Sequence, residues 1–584
     1  MKFAVNKIWC ALLAAPVFIA STGLSHAQPI PRSGFLYQDI RQDRLATLPG
    51  EPVKGVDDSA VPERASISGF TVEVSHFSVY GNSLLDDAAL GEILEPYSHR
   101  TLSEVELHDA ADALRAAYRA AGLFLAQVYI PPQAIEDGVV TLHVYEGLIE
   151  EGGVELDDSG GDHVETSIVE EILSATITSG VSVHKAEVER AILLADDLPG
   201  ITSHSLIYPG SEAGSARFRM STENTERVTG NLDFDNFGSY YTGESRLGAT
   251  VYFNSPTGRG DQITLRGVTS GSGSNYVFTD YSVPVGGSGL RLGGSVDYLE
   301  YQLEEELEFF DAEGDAGSLR AFAAYPFIRS RHRNLNGRAE LAYLTLEDDG
   351  LNGQLEAERK INTLTVSVDG DEDHDWWPGG ISYFFAGLTA GDVDIRGGDD
   401  FAEFDRLNAN TEGSFVRANL QFSRLQRLVG NLSTNVHVAG QWANQNLDSS
   451  QKFFVGGPFT VPGYPTGEAS GDHGANLHLD LRYDLTAVPR SGALQASVFY
   501  SAGWVRLFDE TWEGWEGPSE ILENEYTLES WGLSATQTWP SGVILRGSVG
   551  WQIGDNPGRN PLTGLPTDQS SDDYRAWVQA IYYF

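Results

Sequence analysis

The sequence predicts α+β modules in tandem, followed by an all-β transmembrane barrel of about 16 antiparallel strands. Three observations predict it. Two stretches between residues 67 and 226 each run strand, helix, helix, strand, strand. Beyond residue 227 the helical period disappears and side chains alternate instead. The final segment, YRAWVQAIYYF, keeps that alternation to the last residue. A chain of 584 residues has room for all of this, since one domain usually takes ~100 to 200 residues.

Residues 1–27 read as a secretory signal peptide: Lys2 and Lys7 precede an apolar run from Ile8 to Ala20, and Ser25-His26-Ala27 supplies a small-residue end before Gln28. A membrane anchor needs ~20 consecutive apolar residues, and Pro16, Ser21 and Thr22 interrupt this one. The single cysteine, Cys10, lies inside the signal, so the exported chain carries no thiol for a disulfide, a thiolate metal site or a nucleophile. Residues 28–66 are expected to form a short helix around Phe35 to Leu48 and then a Pro-, Gly- and acid-rich linker.

The first module, 67–148, opens with FTVEVSHFSVYGN as a strand and LDDAALGEILEPY as a helix. Its second helix is the clearest: Ser103 and Glu106 form a capping box, Leu107, Ala110, Ala111, Leu114, Tyr118 and Ala121 share one face, and Gly122 stops it. FLAQVYIPPQAIEDG and VVTLHVYEG complete the module as strands. The second, 149–226, repeats the order, with helices near Ser167 to Ser174 and in AEVERAILLADDLPGI.

The region 227–584 is the barrel. Leu477, Leu479, Leu481, Tyr483 and Leu485 alternate with His478, Asp480, Arg482 and Asp484, and Val416 to Phe422 behave alike. A soluble sandwich alternates too. Ten of the eleven tryptophans, however, lie at or after Trp376, as interfacial aromatic girdles require, and the chain ends on an aromatic within a strand. The acidic pieces LEEELEFFDAEGDAG and DGDEDHDWWPGG are expected to be external loops. With 83 acidic and 38 basic residues the net charge is −45, which excludes a nucleic-acid partner held through its phosphates.

Several motifs carry a resemblance to the TpsB-type two-partner secretion transporters, the haemolysin and filamentous-haemagglutinin secretion proteins of the POTRA-barrel superfamily. EGLIEEGGVEL resembles the junction between the family's two POTRA domains, and ERAILLADDLPGI resembles a helix of its second POTRA domain. GNLDFDNFGSYYTGESRLGATVYFNSPTGRGDQITL resembles its first barrel hairpin, and Phe584 its terminal aromatic, the signal read by the barrel-assembly machinery. The resemblance implies a 16-stranded barrel in the outer membrane of a Gram-negative bacterium, two POTRA domains in the periplasm and an N-terminal helix able to plug the pore. It also implies an inward loop carrying a four-residue signature, here Val461, Pro462, Gly463 and Tyr464. The family has arginine where Pro462 stands, paired with an aspartate of a facing strand. The matching stretch here contains Phe499, Ser501 and Gly503, with serine at the aspartate's place. Losing only the arginine would strand a buried carboxylate at a cost of roughly 3–5 kcal/mol, and losing both removes that penalty.

Other readings fit less of the chain. The run Asp369, Asp371, Asp373, Asp375 lacks the glycine and the glutamate of a calcium loop, His374 and Gly380 standing in their places. Neither a zinc-type His-Glu-x-x-His nor a G-x-S-x-G elbow occurs, so no enzyme and no cofactor are expected. A diffusion porin leaves the two modules idle. A POTRA-barrel factor that assembles other outer-membrane proteins is the main alternative, and such relatives usually carry more POTRA domains. The expected partners are a secreted TpsA-like exoprotein, membrane lipid, and the assembly machinery during biogenesis, with the transporter itself monomeric.

Overall fold

The computed structural model describes Arg32, Ser33 and residues 71–584, apart from 158–159, 306–307, 309–310, 351–354, 375–376, 398, 489–491, 517–522 and 561–563. The signal peptide, the helix expected near Phe35 to Leu48 and the linker lie outside the described residues.

The first module contains β1 (Thr71–Val74), β2 (His76–Tyr80), α1 (Asp87–Leu94), β3 (Arg100–Ser103), α2 (Glu104–Ala120), β4 (Gln127–Tyr129) and β5 (Val139–Tyr145). The segment expected as one opening strand is two. Ser75 breaks it by donating its N–H to Gly138 O and its hydroxyl to Asp137 O, so β1 pairs with the short β3 while β2 joins β5 and β4. The α2 capping box forms as expected: the Ser103 hydroxyl accepts from Glu106 N–H, and the Glu106 carboxylate accepts from Ser103 N–H at 2.8 Å. Leu107, Ala110, Ala111, Leu114 and Tyr118 are its buried face, whereas Ala121, expected on it, is the C-cap beyond the last helical residue and is exposed. The second module follows as β6 (Leu148–Asp157), α3 (Thr166–Thr176), α4 (Lys185–Asp196), β7 (Ile201–Pro209) and β8 (Ser215–Asn224), with the sheet order β6-β8-β7.

Sixteen strands then close into an antiparallel barrel. They are β9 (Val228–Asp235), β10 (Arg246–Asn254), β11 (Gln262–Thr269), β12 (Ser274–Pro284), β13 (Arg291–Gln302), β14 (Glu313–Arg329), β15 (Arg333–Gly350), β16 (Leu355–His374), β17 (Gly380–Gly397), β18 (Gly413–Arg427) and β19 (Leu432–Ala443), then, beyond two short strands β20 (Phe453–Val455) and β21 (Ala469–Gly471) inside the lumen, β22 (His473–Val488), β23 (Gly492–Arg506), β24 (Glu525–Thr538), β25 (Val543–Ile553) and β26 (Tyr574–Tyr583). Alternation decides which face meets lipid: Leu481, Tyr483 and Leu485 are exposed outward, as are Tyr574, Val578, Tyr582 and Phe584. The lumen side carries paired charges such as Asp297–Arg320 at 2.5 Å and Asp480–Arg482 at 2.8 Å. Closure is by β26 against β9, where Phe584 and Gly230 exchange two backbone hydrogen bonds at 3.0 Å.

The second module docks on the end of the barrel that carries the short turns. Arg190 donates to Ser288 O and Pro326 O at 2.8 Å, Asp197 accepts a two-pronged bond from Arg329, and Glu165 N–H bonds Gly258 O at 2.7 Å. This is the periplasmic end, and the long connections crown the other. DGDEDHDWWPGG therefore is not an external loop. Its residues Asp369 to His374 finish β16 at the periplasmic end, where Asn336 and Asn334 side chains donate to Asp369 and Asp371. Strand pairing outlasts the membrane there, so an acidic run that is solvated on one face still reads as a strand.

Candidate functional site: the inward loop and its seat

Residues 444–472, between β19 and β22, turn back against the lumen wall. β20 and β21 form an antiparallel ribbon, Phe453 facing Gly471 and Val455 facing Ala469. The ribbon lies on β22 and β23 where glycines leave room: a Cβ at Gly503 would stand 2.4 Å from Val455 Cγ1 and 2.9 Å from Val461 Cγ2, and one at Gly474 would meet the Phe453 ring.

The tip is a tight turn in which Tyr464 N–H donates to Val461 O at 3.0 Å and Gly457 N–H to Tyr464 O at 3.0 Å. Pro462 thus occupies the second turn position, where a fixed φ suits the chain and a missing N–H leaves no bond unmade. Its carbonyl accepts from Trp577 Nε1 at 2.8 Å, and Gly463 O accepts from Gln552 Nε2 at 3.0 Å. Val461 and Tyr464 are fully buried with Val455, Ala469, Val505, Tyr526 and Leu528. Phe237, just past β9, meets Phe459 and Trp577 edge-on, and its carbonyl accepts from the Thr466 hydroxyl at 2.9 Å.

The three residues singled out on the facing strand have separate neighbours. Gly503 abuts the tip through Val461. Ser501 Oγ lies 2.7 Å from His478 Nδ1, and Phe499 stacks on the His478 ring with centroids 5.4 Å apart. His478 Nε2 in turn lies 3.2 Å from Asp480, giving the order Ser-His-Asp of a hydrolase triad. Ser501, however, is 0% exposed and Asp480 is also held by Arg482, so the set acts as a polar brace between β22 and β23.

Charges enter at the loop's base and shoulder. Asp448 pairs with Arg359 of β16 at 2.9 Å, and Asp472 with Lys452 at 2.7 Å. Glu468, fully buried, accepts from Asn556 Nδ2 and from the N–H and hydroxyl of Thr567, tying the loop to the connection 554–573. Burial raises its carboxyl to about 7 despite those donors. Arg359, Asp448, Glu468, Trp577 and Phe237 escaped sequence reasoning because each lies far from its partner along the chain. The Asp-Asn pair heading Phe237 was the one local signal: Asp235 pairs with Arg246 at 2.8 Å, and Asn236 bonds Ala576 O and Val578 N–H across the closing seam.

Residues 214–515 match the family described as haemolysin secretion/activation protein ShlB/FhaC/HecB, and residues 72–147 match the ShlB-type POTRA domain. The chain belongs to the haemolysin secretion/activation family. As in that family, it is an outer-membrane β-barrel with POTRA architecture on the periplasmic side, and it serves secretion of a partner protein across the outer membrane. The heme/hemopexin transporter protein HuxB of Haemophilus influenzae strain 86-028NP is 26% identical over 499 residues, 85% of this chain and 84% of that protein. The outer membrane transporter CdiB of Escherichia coli O6:K15:H31 strain 536 is 21% identical over 458 residues, 76% of this chain and 74% of that protein. Among solved structures, CdiB from Escherichia coli superposes with a TM-score of 0.71 at 16% identity, covering 95% of this chain and 99% of that one, a likeness of fold.

Proposed function

We propose that this protein captures an unfolded exoprotein in the periplasm through its two modules and passes it through the barrel, with the inward loop as the element that must yield. The observation that carries the reading is the loop itself, seated across the lumen wall of a barrel whose periplasmic end holds a docked module. The client is a secreted TpsA-like protein, as the names of the heme/hemopexin and hemolysin transporters among its relatives suggest. It binds as an extended segment at an open sheet edge such as β2, using main-chain hydrogen bonds with little sequence reading. The outward side chains of that sheet, Tyr80, His143 and Tyr129, form a row of rings with centroids 5.1 and 5.4 Å apart, an aromatic platform beside the edge.

Val461, Pro462, Gly463 and Tyr464 act as the gate tip, Gly503 as its floor, and Phe499 and Ser501 as the brace that stiffens the floor. No covalent step or cofactor is needed, because client folding outside makes return unfavourable, and the protein works as a non-enzymatic, monomeric pore. Phe584 serves the barrel-assembly machinery during insertion. Deleting residues 71–224 is expected to leave a folded barrel and abolish appearance of the client outside, and undiminished export would sink the reading. If the protein instead assembles other barrels, its depletion will lower several unrelated outer-membrane proteins.

A further inference from the structure

Arg359 of β16, near the outer mouth, is 2% exposed and meets three separate pieces of chain. Its Nη1 donates to Asp448 at 2.9 Å and to Ser449 Oγ at 3.2 Å, at the base of the inward loop. Its Nη2 reaches Asp348 of β15 and donates to Ser33 Oγ at 3.2 Å. Ser33 also donates its N–H to Asp348 Oδ1 at 2.9 Å, and is itself fully buried. Tyr301 and Ser450 hold the two carboxylates from behind, at 2.6 Å each. Ser33, from the N-terminal stretch of the chain, therefore sits inside the barrel at the end opposite the POTRA modules.

We propose that Arg359 is a positioning residue, the hub that holds both Ser33 and the base of the inward loop at the outer mouth of the pore. It places on the wall a cation whose acidic partner is on the loop, the reverse of an arginine carried at the loop tip. The two spokes differ in kind. Ser33 brings only a hydroxyl and an N–H, so its departure leaves Arg359 still facing Asp348 and Asp448. Departure of Asp448 separates a buried ion pair. The contact at Ser33 is thus the spoke that leaves first, and the loop base the one that stays longer. The proposal rests on the export reading only for its consequence, that a client crossing the outer mouth has to break these contacts.

The test uses the full chain in proteoliposomes with Cys10→Ser and one reporter thiol, Arg32→Cys beside Ser33 or Leu447→Cys at the loop base, and measures maleimide labelling rates. Arg359→Gln is expected to speed labelling at both positions at least about tenfold, with Arg359→Lys in between, and Asp448→Asn to speed it at position 447 only. Heat-modifiable migration checks that each barrel is folded. Should Arg359→Gln not fold, Ser33→Ala, which leaves every ion pair intact, is expected to speed labelling at position 32 by about threefold and not at 447. An unchanged rate at position 32 in Arg359→Gln or, failing that variant, in Ser33→Ala, or an equal acceleration there by Asp448→Asn, overturns the hub. Export is not read in this assay, so its failure is separable from failure of the proposed function.

Discussion

Pro462 and its neighbours show how a loop tip is held without charge. Its carbonyl takes the Trp577 indole N–H, and a Cβ at Gly550 of β25 would stand 2.6 Å from the Pro462 carbonyl carbon. The obstacle there is backbone, whereas at Gly503 it is the ends of two valine side chains. Gly550→Ala is therefore expected to dislodge the tip at about 1–3 kcal/mol, more than Gly503→Ala, read as protease sensitivity of residues 456–468. Pro462→Gly is expected to impair export more than Ser501→Ala, because the first loosens the tip and the second only leaves His478 short of one hydrogen bond. Equal, negligible effects would show a passive loop. Glu468 adds a pH dependence whose sign follows from its raised carboxyl. The folded state binds the proton more tightly than the unfolded chain, so the loop's hold is full at pH below the free value near 4.3 and declines as pH rises to about 7, by up to about 3 kcal/mol. Hydrogen-exchange protection of residues 461–468, corrected for intrinsic rates, should be lower at pH 8 than at pH 5. Glu468→Gln should flatten that difference.

At the scale of elements, α4 is both core and dock. Val188, Ala191, Leu194 and Ala195 bury one face within the second module, while Glu189, Arg190 and the following Asp197 reach turns of the barrel. The double change Arg190→Ala and Asp197→Ala removes the two hydrogen bonds to carbonyls and the two-pronged ion pair without touching the core. It is expected to widen the distribution of module-to-barrel distances in pulsed spin-label measurements while leaving the module folded. An unchanged distribution would place the docking energy in the apolar contacts of Leu194 and Leu198 with the turn glycines Gly289 and Gly260. The elements legible beforehand were those whose signal is local: the Ser103–Glu106 box, the α2 face and the alternating barrel strands. The split at Ser75 was hidden, since its partners Asp137 and Gly138 come some 60 residues later. The acidic end of β16 was misread because loop composition and a half-solvated strand look alike without the partner strand.

For the whole molecule, the closing seam decides whether a barrel exists. β26 pairs with β9 only over Gln579–Tyr583 and Asp235–Asn231, and Phe584 and Asn236 extend the contact at either end. Removing Phe584 deletes two terminal hydrogen bonds and a ring lying against Gly230. The folded, heat-modifiable fraction is expected to fall several-fold relative to a Phe584→Tyr control, and equal fractions would deny the terminal residue its role in closure. The sequence by itself determined the architecture, two tandem helix-bearing modules and a barrel, because periodicity, caps and turn residues act within a few positions, while the loop with its tip at Val461 to Tyr464 came from the family resemblance of its motif. It also showed that the loop tip carries no arginine. Only the tertiary structure decided what holds the loop, a seat at Gly503, Gly550 and Trp577 for its tip and an ion pair of Arg359 with Asp448 at its base. Barrel closure and loop inversion bring together residues 89 apart in Arg359 and Asp448 and 115 apart in Pro462 and Trp577, and no local pattern encodes contacts of that span.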